Sequence, residues 1–197
     1  MVEFVVFDTE FTAWPGSRER QWSEPWEHRE LIQMAAVKVS VVEQRLQITE
    51  TFNELVTPVI NPQLSNYIIQ LTGITQTMIQ ELAVDFSSVL RQFHQFCHYG
   101  ELPGFSWGND VNVLRENCAL NSVNWPEFNA GLRDIKPLLR NSGIQFGEIN
   151  SGGLAKSLGL EVAGQEHNAL HDVRSIVAAL QHWVFEDQLD IESFATS

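Results

Sequence analysis

Asp8-Thr9-Glu10 places two carboxylates at an i, i+2 spacing directly after the apolar run Phe4-Val5-Val6-Phe7. A short apolar run rich in strand formers reads as a buried strand. Side chains alternate faces along a strand, so Asp8 and Glu10 point the same way. Two anions side by side at the end of a buried strand repel each other and lose hydration. A divalent cation with oxygen ligands is the natural compensation. Asp110 stands where a short apolar segment meets a helix, and His167 and Asp172 stand where the last helix begins. Asp8, Glu10, Asp110 and Asp172 are therefore the candidate metal ligands. His167 is the candidate proton acceptor, because an imidazole changes charge near neutral pH.

The elements that must position these groups follow from periodicity. Residues 30–42 and 47–57 read as strands, and the turn over 43–46 makes them an antiparallel hairpin. Residues 63–70 read as a short helix stopped by Leu71-Thr72-Gly73-Ile74-Thr75, with Thr75 or Thr77 capping the next helix through Leu82. Residues 86–99 carry Phe86, Val89, Leu90, Phe93 and Cys97 on one helical stripe. A short strand over 104–107 ends in Gly108-Asn109-Asp110, and a helix over 111–121 turns Val113, Leu114 and Cys118 inward. Residues 132–139 form a strand or a strand–helix junction, and 152–158 a short helix stopped at Gly159. The last helix, about 169–186, has Val173, Ile176, Val177, Leu180 and Val184 as its core stripe. A hairpin followed by strand–helix alternation predicts an α/β fold: a mixed sheet flanked by helices, in one domain across 1–197.

Composition bounds the function. At 197 residues and 44% apolar, the chain suits one domain with a substantial core. It has no unbroken apolar run of about 18 residues and no secretory leader pattern. Cys97 and Cys118 make no disulfide framework, so the expectation is a cytoplasmic protein with free thiols and no membrane contact. A net charge of -13 argues against broad binding to a duplex backbone. It leaves room for a short single-stranded end held in a cleft, where metal ions supply the positive charge. The segment 13–29 interleaves Trp14, Trp22 and Trp26 with Arg18, Arg20 and Arg29. Such a loop can stack bases, or it can simply pack on its tryptophans with Glu19, Glu24 and Glu27 balancing its charge. His94, Cys97 and His98 lack a fourth metal ligand nearby and read as capping and surface positions.

The ordered set Asp8, Glu10, Asp110, His167 and Asp172 resembles the DEDDh 3′-to-5′ exonucleases. These carry an Asp-x-Glu strand, a central Asp and a His-x4-Asp segment on a ribonuclease-H-like fold. The resemblance covers nearly the whole chain. Residues 30–37 and Leu71-Thr72-Gly73-Ile74-Thr75 look like the enhanced-RNA-interference and histone-mRNA exoribonuclease branch. That likeness implies Leu71, Thr72 and Ile74 as contacts to the terminal nucleotide, although Gly73 as a left-handed helix cap and Ile74 as a core residue are compatible with it. Thr9, Phe11, Thr12 and Asn109, beside the carboxylates, are further candidate substrate contacts.

The resemblance implies hydrolysis of phosphodiester bonds at single-stranded 3′ ends, RNA more than DNA, with release of nucleoside 5′-monophosphates. Two Mg²⁺ ions about 4 Å apart suit this chemistry, and Mn²⁺ can substitute. Asp8 would bridge the ions, Glu10 and Asp172 would complete the ligation, and Asp110 would hold the second ion directly or through water. His167, expected in the loop before the last helix, is the general base; His171 is expected to be a helix-surface neighbour. Two other readings stand beside this one: a DNA-trimming or proofreading exonuclease, and a catalytically silent nucleic-acid-binding module. The sequence implies no particular protein partner.

Overall fold

Phe4, Val5, Val6 and Phe7 are all fully buried, which places their strand in the middle of the molecule with both faces covered. The computed structural model describes residues 2–194. The chain begins with strands β1 (Glu3–Phe11), β2 (Leu31–Val42) and β3 (Arg45–Leu55). Helices α1 (Asn66–Thr72), α2 (Gln76–Leu82) and α3 (Phe86–Phe96) follow. Next come β4 (Gly104–Ser106), α4 (Asp110–Leu120), β5 (Leu132–Asp134) and α5 (Lys136–Asn141). The described chain closes with α6 (Leu154–Ser157), α7 (Ala169–Phe185) and a 3₁₀ turn, Ile191–Phe194.

The strands form one sheet in the order β3-β2-β1-β4-β5. β2 runs antiparallel to β1, with Asp8 opposite Ala35 and Glu10 opposite Gln33. β4 runs parallel to β1, and β5 parallel to β4. This is the mixed α/β sheet expected from the pattern. Glu43 and Gln44 both adopt left-handed φ angles of 48° and 61°, the geometry of a tight two-residue hairpin turn. That compact turn lets β3 start at Arg45, ahead of its expected first residue.

Alternation along β1 divides the core. Phe4 and Val6 face α7 and its neighbours, while Val5 and Phe7 face α3 and α4. A third, smaller cluster joins Ile32 to α1 and α2 through Leu64, Ile68, Ile74 and Ile79. α3 stops at Phe96 because His98, Tyr99 and Gly100 turn into left-handed conformations. Glu30, just before β2, is buried, and its carboxylate accepts from the backbone N–H groups of Val59, Ile60 and Asn61 at 2.6 Å each. No helix of the described residues is long and apolar enough to cross a membrane.

Periodicity gave no sign of the closing 3₁₀ turn, which is too short to show a pattern. Its Phe194 is fully buried, stacked on Phe4 at 4.3 Å and edge-on to Phe105 at 5.6 Å. Truncating a buried aromatic ring leaves a cavity and removes its transfer free energy. Phe194→Ala is therefore expected to lower unfolding free energy by about 3–5 kcal/mol. Urea denaturation measures it, and a loss below ~1 kcal/mol would show that this turn does not close the core.

Candidate active site

Four carboxyl groups meet where the sheet's central strands end. β1 delivers Asp8 and Glu10, the start of α4 delivers Asp110, and the first turn of α7 delivers Asp172. They line one cleft of about 240 Å³ together with His167. Their residual exposures are 6%, 8%, 8% and 2%, so each is almost withdrawn from solvent.

Each position is braced. The backbone N–H and the hydroxyl of Thr9 both donate to Asp110 Oδ1, at 3.1 and 2.6 Å. Ser151 Oγ donates to Asp172 Oδ2 at 2.9 Å, and the backbone N–H of His167 donates to Asp172 Oδ1 at 3.2 Å. Gly152 passes so close that an added Cβ would lie 2.5 Å from Asp172 Oδ1. Gln33, the cross-strand partner of Glu10, accepts from Ala169 N–H at 3.0 Å and so ties the first turn of α7 to β2. His167 sits in the loop before α7, as expected, with a left-handed φ of 64°. Such a conformation is uncommon for a residue with a Cβ and is tolerated where the surroundings enforce it.

The electrostatics are those of a site built for a cation. Burial pushes the Asp8 carboxyl well above its ordinary range, and the charges of Asp110, Asp172 and Glu10 add to the shift. Glu10 is raised well above its range for the same reason, by burial and then by Asp172 and Asp110. Burial also raises Asp110 and Asp172, against the lowering effect of hydrogen bonds from Thr9 and Ser151 respectively. Among the described residues, the one lysine or arginine lining this cleft is Arg29, and its guanidinium is already held by both Glu116 carboxylate oxygens. Ligand atoms of Glu10, His167 and Asp172 lie within 4.8 Å of one another. Asp8 and Asp110 stand in the same cleft outside that tight group. Carboxylate oxygens suit a hard divalent cation.

The other candidate contacts divide. Phe11 and Asn109 line the cleft, and so does Thr9, although its hydroxyl is committed to Asp110. Thr12 does not line it. Its buried hydroxyl donates to His28 O at 2.6 Å and accepts from Glu30 N–H at 3.0 Å, closing the base of the 13–29 loop. Leu71 and Ile74 pack into the third core cluster, Ile74 with 1% exposure. Thr72 is buried as well, donating to Ile68 O and accepting from Ile74 N–H, and Gly73 is the left-handed cap of α1. The cap draws the apolar side chains of this segment inward, so the structure does not bring the three residues into the carboxylate cleft.

His171 corrects the expectation of a helix-surface neighbour. It is 8% exposed, with Nδ1 3.2 Å from Ala163 O and Nε2 3.4 Å from Gly152 O. The ring thus pins two loops to α7: the one carrying Ser151 and the one carrying His167. His94, Cys97 and His98 face different partners, respectively Glu127 O, the core and Lys38 Nζ. Sequence reasoning also passed over Ser151, Gly152, Gln33 and Trp107. A serine or glycine in a turn carries no pattern that announces the carboxylate of Asp172 far along the chain.

The raised carboxyl groups give a signed pH effect. Each holds its proton more tightly in the folded chain than in the unfolded one. Their contribution to stability is full below the unfolded carboxylate range and is lost as pH rises through the folded values. In EDTA, Asp8→Asn should melt higher than the wild type, by a margin that widens from about pH 5 to pH 8. Mg²⁺ should narrow that margin. Melting curves across pH check this, and a constant margin would contradict it. Gly152→Ala should displace the Asp172 carboxylate and weaken Mn²⁺ binding by about tenfold or more, read by calorimetry; unchanged affinity would show that the loop yields freely.

A family model described as Exonuclease (RNase_T) matches residues 5–180. The chain is 27% identical over 201 residues to ERI1 exoribonuclease 2 of Mus musculus, across 91% of this chain and 28% of that protein. It is 28% identical over 141 residues to 3′-5′ exoribonuclease 1 of Homo sapiens, across 66% of this chain and 40% of that one. The chain thus spans less than half the length of these relatives. In fold it matches the nuclease domain of 3′hExo, a DEDDh family member bound to rAMP. That match has a TM-score of 0.76 and 23% identity, over 93% of this chain and 92% of that one. It also matches E. coli exonuclease I in complex with a dA16 oligonucleotide, with a TM-score of 0.69 and 18% identity, over 99% and 42% of the two chains. With this match across residues 5–180, the chain belongs to the exonuclease family, and it is similar in sequence to the ERI1-type exoribonucleases.

Proposed function

We propose that this chain is a metal-dependent 3′-to-5′ exonuclease that trims single-stranded ends, RNA in preference to DNA. The observation that carries the reading is the convergence of four buried, cation-poor carboxyl groups with His167 in one cleft. Two divalent cations, Mg²⁺ or in its place Mn²⁺, would supply the charge that activates water and stabilises the leaving oxygen. Asp8, Glu10, Asp110 and Asp172 would hold them. His167, whose ring lies beside Glu10 and Asp172, would accept the proton of the attacking water through its imidazole. Phe11 and Asn109 offer an aromatic face and an amide to the terminal nucleoside. The products would be nucleoside 5′-monophosphates.

The preference for RNA is supported by the names of the relatives, which are exoribonucleases. The second reading is DNA trimming in the same cleft, since a fold relative holds a deoxyadenylate strand. Digestion of matched 5′-labelled RNA and DNA with Mg²⁺, Mn²⁺ or EDTA separates them. The expected outcome is a ladder that shortens from the 3′ end, faster on RNA and absent in EDTA. Cleavage in EDTA, or from the 5′ end, would end the proposal. His167→Ala should cut the single-turnover rate about 10²–10⁴-fold while oligonucleotide affinity is retained. Wild-type rates in that variant would remove His167 from the mechanism.

A further inference from the structure

Arg29 is part of two walls. One belongs to the carboxylate cleft; the other belongs to a hollow of about 350 Å³ between the 13–29 loop and α4. The hollow therefore adjoins the cleft. Its lining includes Trp22 from the loop and Ala119 from α4. Trp22 is fixed in place: its Nε1–H donates to Thr12 O at 3.1 Å, and its ring meets Phe11 at 5.5 Å between centroids. The Arg29 guanidinium lies 5.7 Å from the Trp22 ring and 6.0 Å from the Phe11 ring.

The charges of this hollow are already matched. Glu116 takes Arg29 through both carboxylate oxygens, and buried Glu27 takes Arg20. A phosphate would find no free cation here. A neutral planar ring would find an indole and a guanidinium plane, the surfaces on which nucleobases stack. A pinned indole and a clamped guanidinium lose little freedom on binding.

We infer that this hollow binds one nucleobase of the single strand upstream of the scissile linkage, with Trp22 and Arg29 as the stacking residues. The inference rests on the exonuclease reading above. It assigns the tryptophan- and arginine-rich loop to strand recognition through bases, while its acidic residues neutralise the arginines.

The test is kcat/KM on a series of oligoribonucleotides, each with one abasic position, for the wild type, Trp22→Ala and Ala119→Glu. In the wild type, one upstream abasic position should lower kcat/KM about 5- to 100-fold, in line with the stacking of a single base. Both variants should lose that dependence. Trp22→Ala also removes the hydrogen bond to Thr12, so Ala119→Glu, at an exposed position of α4, decides the matter if Trp22→Ala fails to fold. A flat upstream profile in the wild type overturns the inference, as does a penalty confined to the terminal nucleotide. A penalty that persists in Ala119→Glu also overturns it. Failure to cleave any intact oligonucleotide overturns the exonuclease reading itself and this inference with it.

Discussion

Like charges in a dry cleft set the terms for the rest of this molecule. Asp8, Glu10, Asp110 and Asp172 are each nearly withdrawn from water, and the charges of Asp110 and Asp172 add to burial in raising the proton affinity of Asp8 and Glu10. Charges at such separations interact strongly when the surrounding dielectric is low. Carboxyl groups on pliable loops would swing apart into solvent. Asp8 and Glu10 are held instead on β1, which is buried on both faces and paired with β2 along its length. The most deeply buried strand of the fold therefore carries two of its least favourable charges, as expected where a site is held ready for a cation.

The bracing is distributed over elements distant in sequence. Thr9 lies between two of the carboxylates and fixes a third, so the first strand and the start of α4 act as one piece. Ser151 and the His167 backbone fix the fourth, Gln33 anchors its helix, and His171 ties two loops to that helix. Side chains with no chemistry of their own thus determine where the reactive groups stand. The positional tolerance of a preorganised site is small.

The strand of Asp8 and Glu10 was legible because burial and alternation leave a mark in a linear sequence. So was the set of five candidate residues that the structure brings to one cleft, since the four carboxylates stand at the ends of apolar elements. The mixed sheet followed from the same patterns. What the sequence concealed was set by contacts between distant turns. Thr12 and Thr72 have the residue type of a substrate contact, yet their hydroxyls close local backbone geometry. Ile74 is the exception in this segment: the left-handed cap at Gly73 and a core position for Ile74 were both readable from the sequence. His171 has a polar side chain one residue before a ligand, and only the approach of two loops shows why it is buried. Phe194 lies in a single turn without periodicity, and its partner Phe4 is at the other end of the described chain.

The parallel pairing of β1 with β4 has a consequence in time. Val5 meets Gly104, and the sheet between them cannot close until β4 has been made. Asp172 arrives later still, on a helix that must dock against β1 and β2. On the ribosome, the strand bearing Asp8 and Glu10 emerges early and waits, with its central pairing unmade and its carboxylates hydrated. The cleft is assembled only when α7 has been synthesised. A nascent domain of this topology holds no finished carboxylate cleft until α7 has joined it.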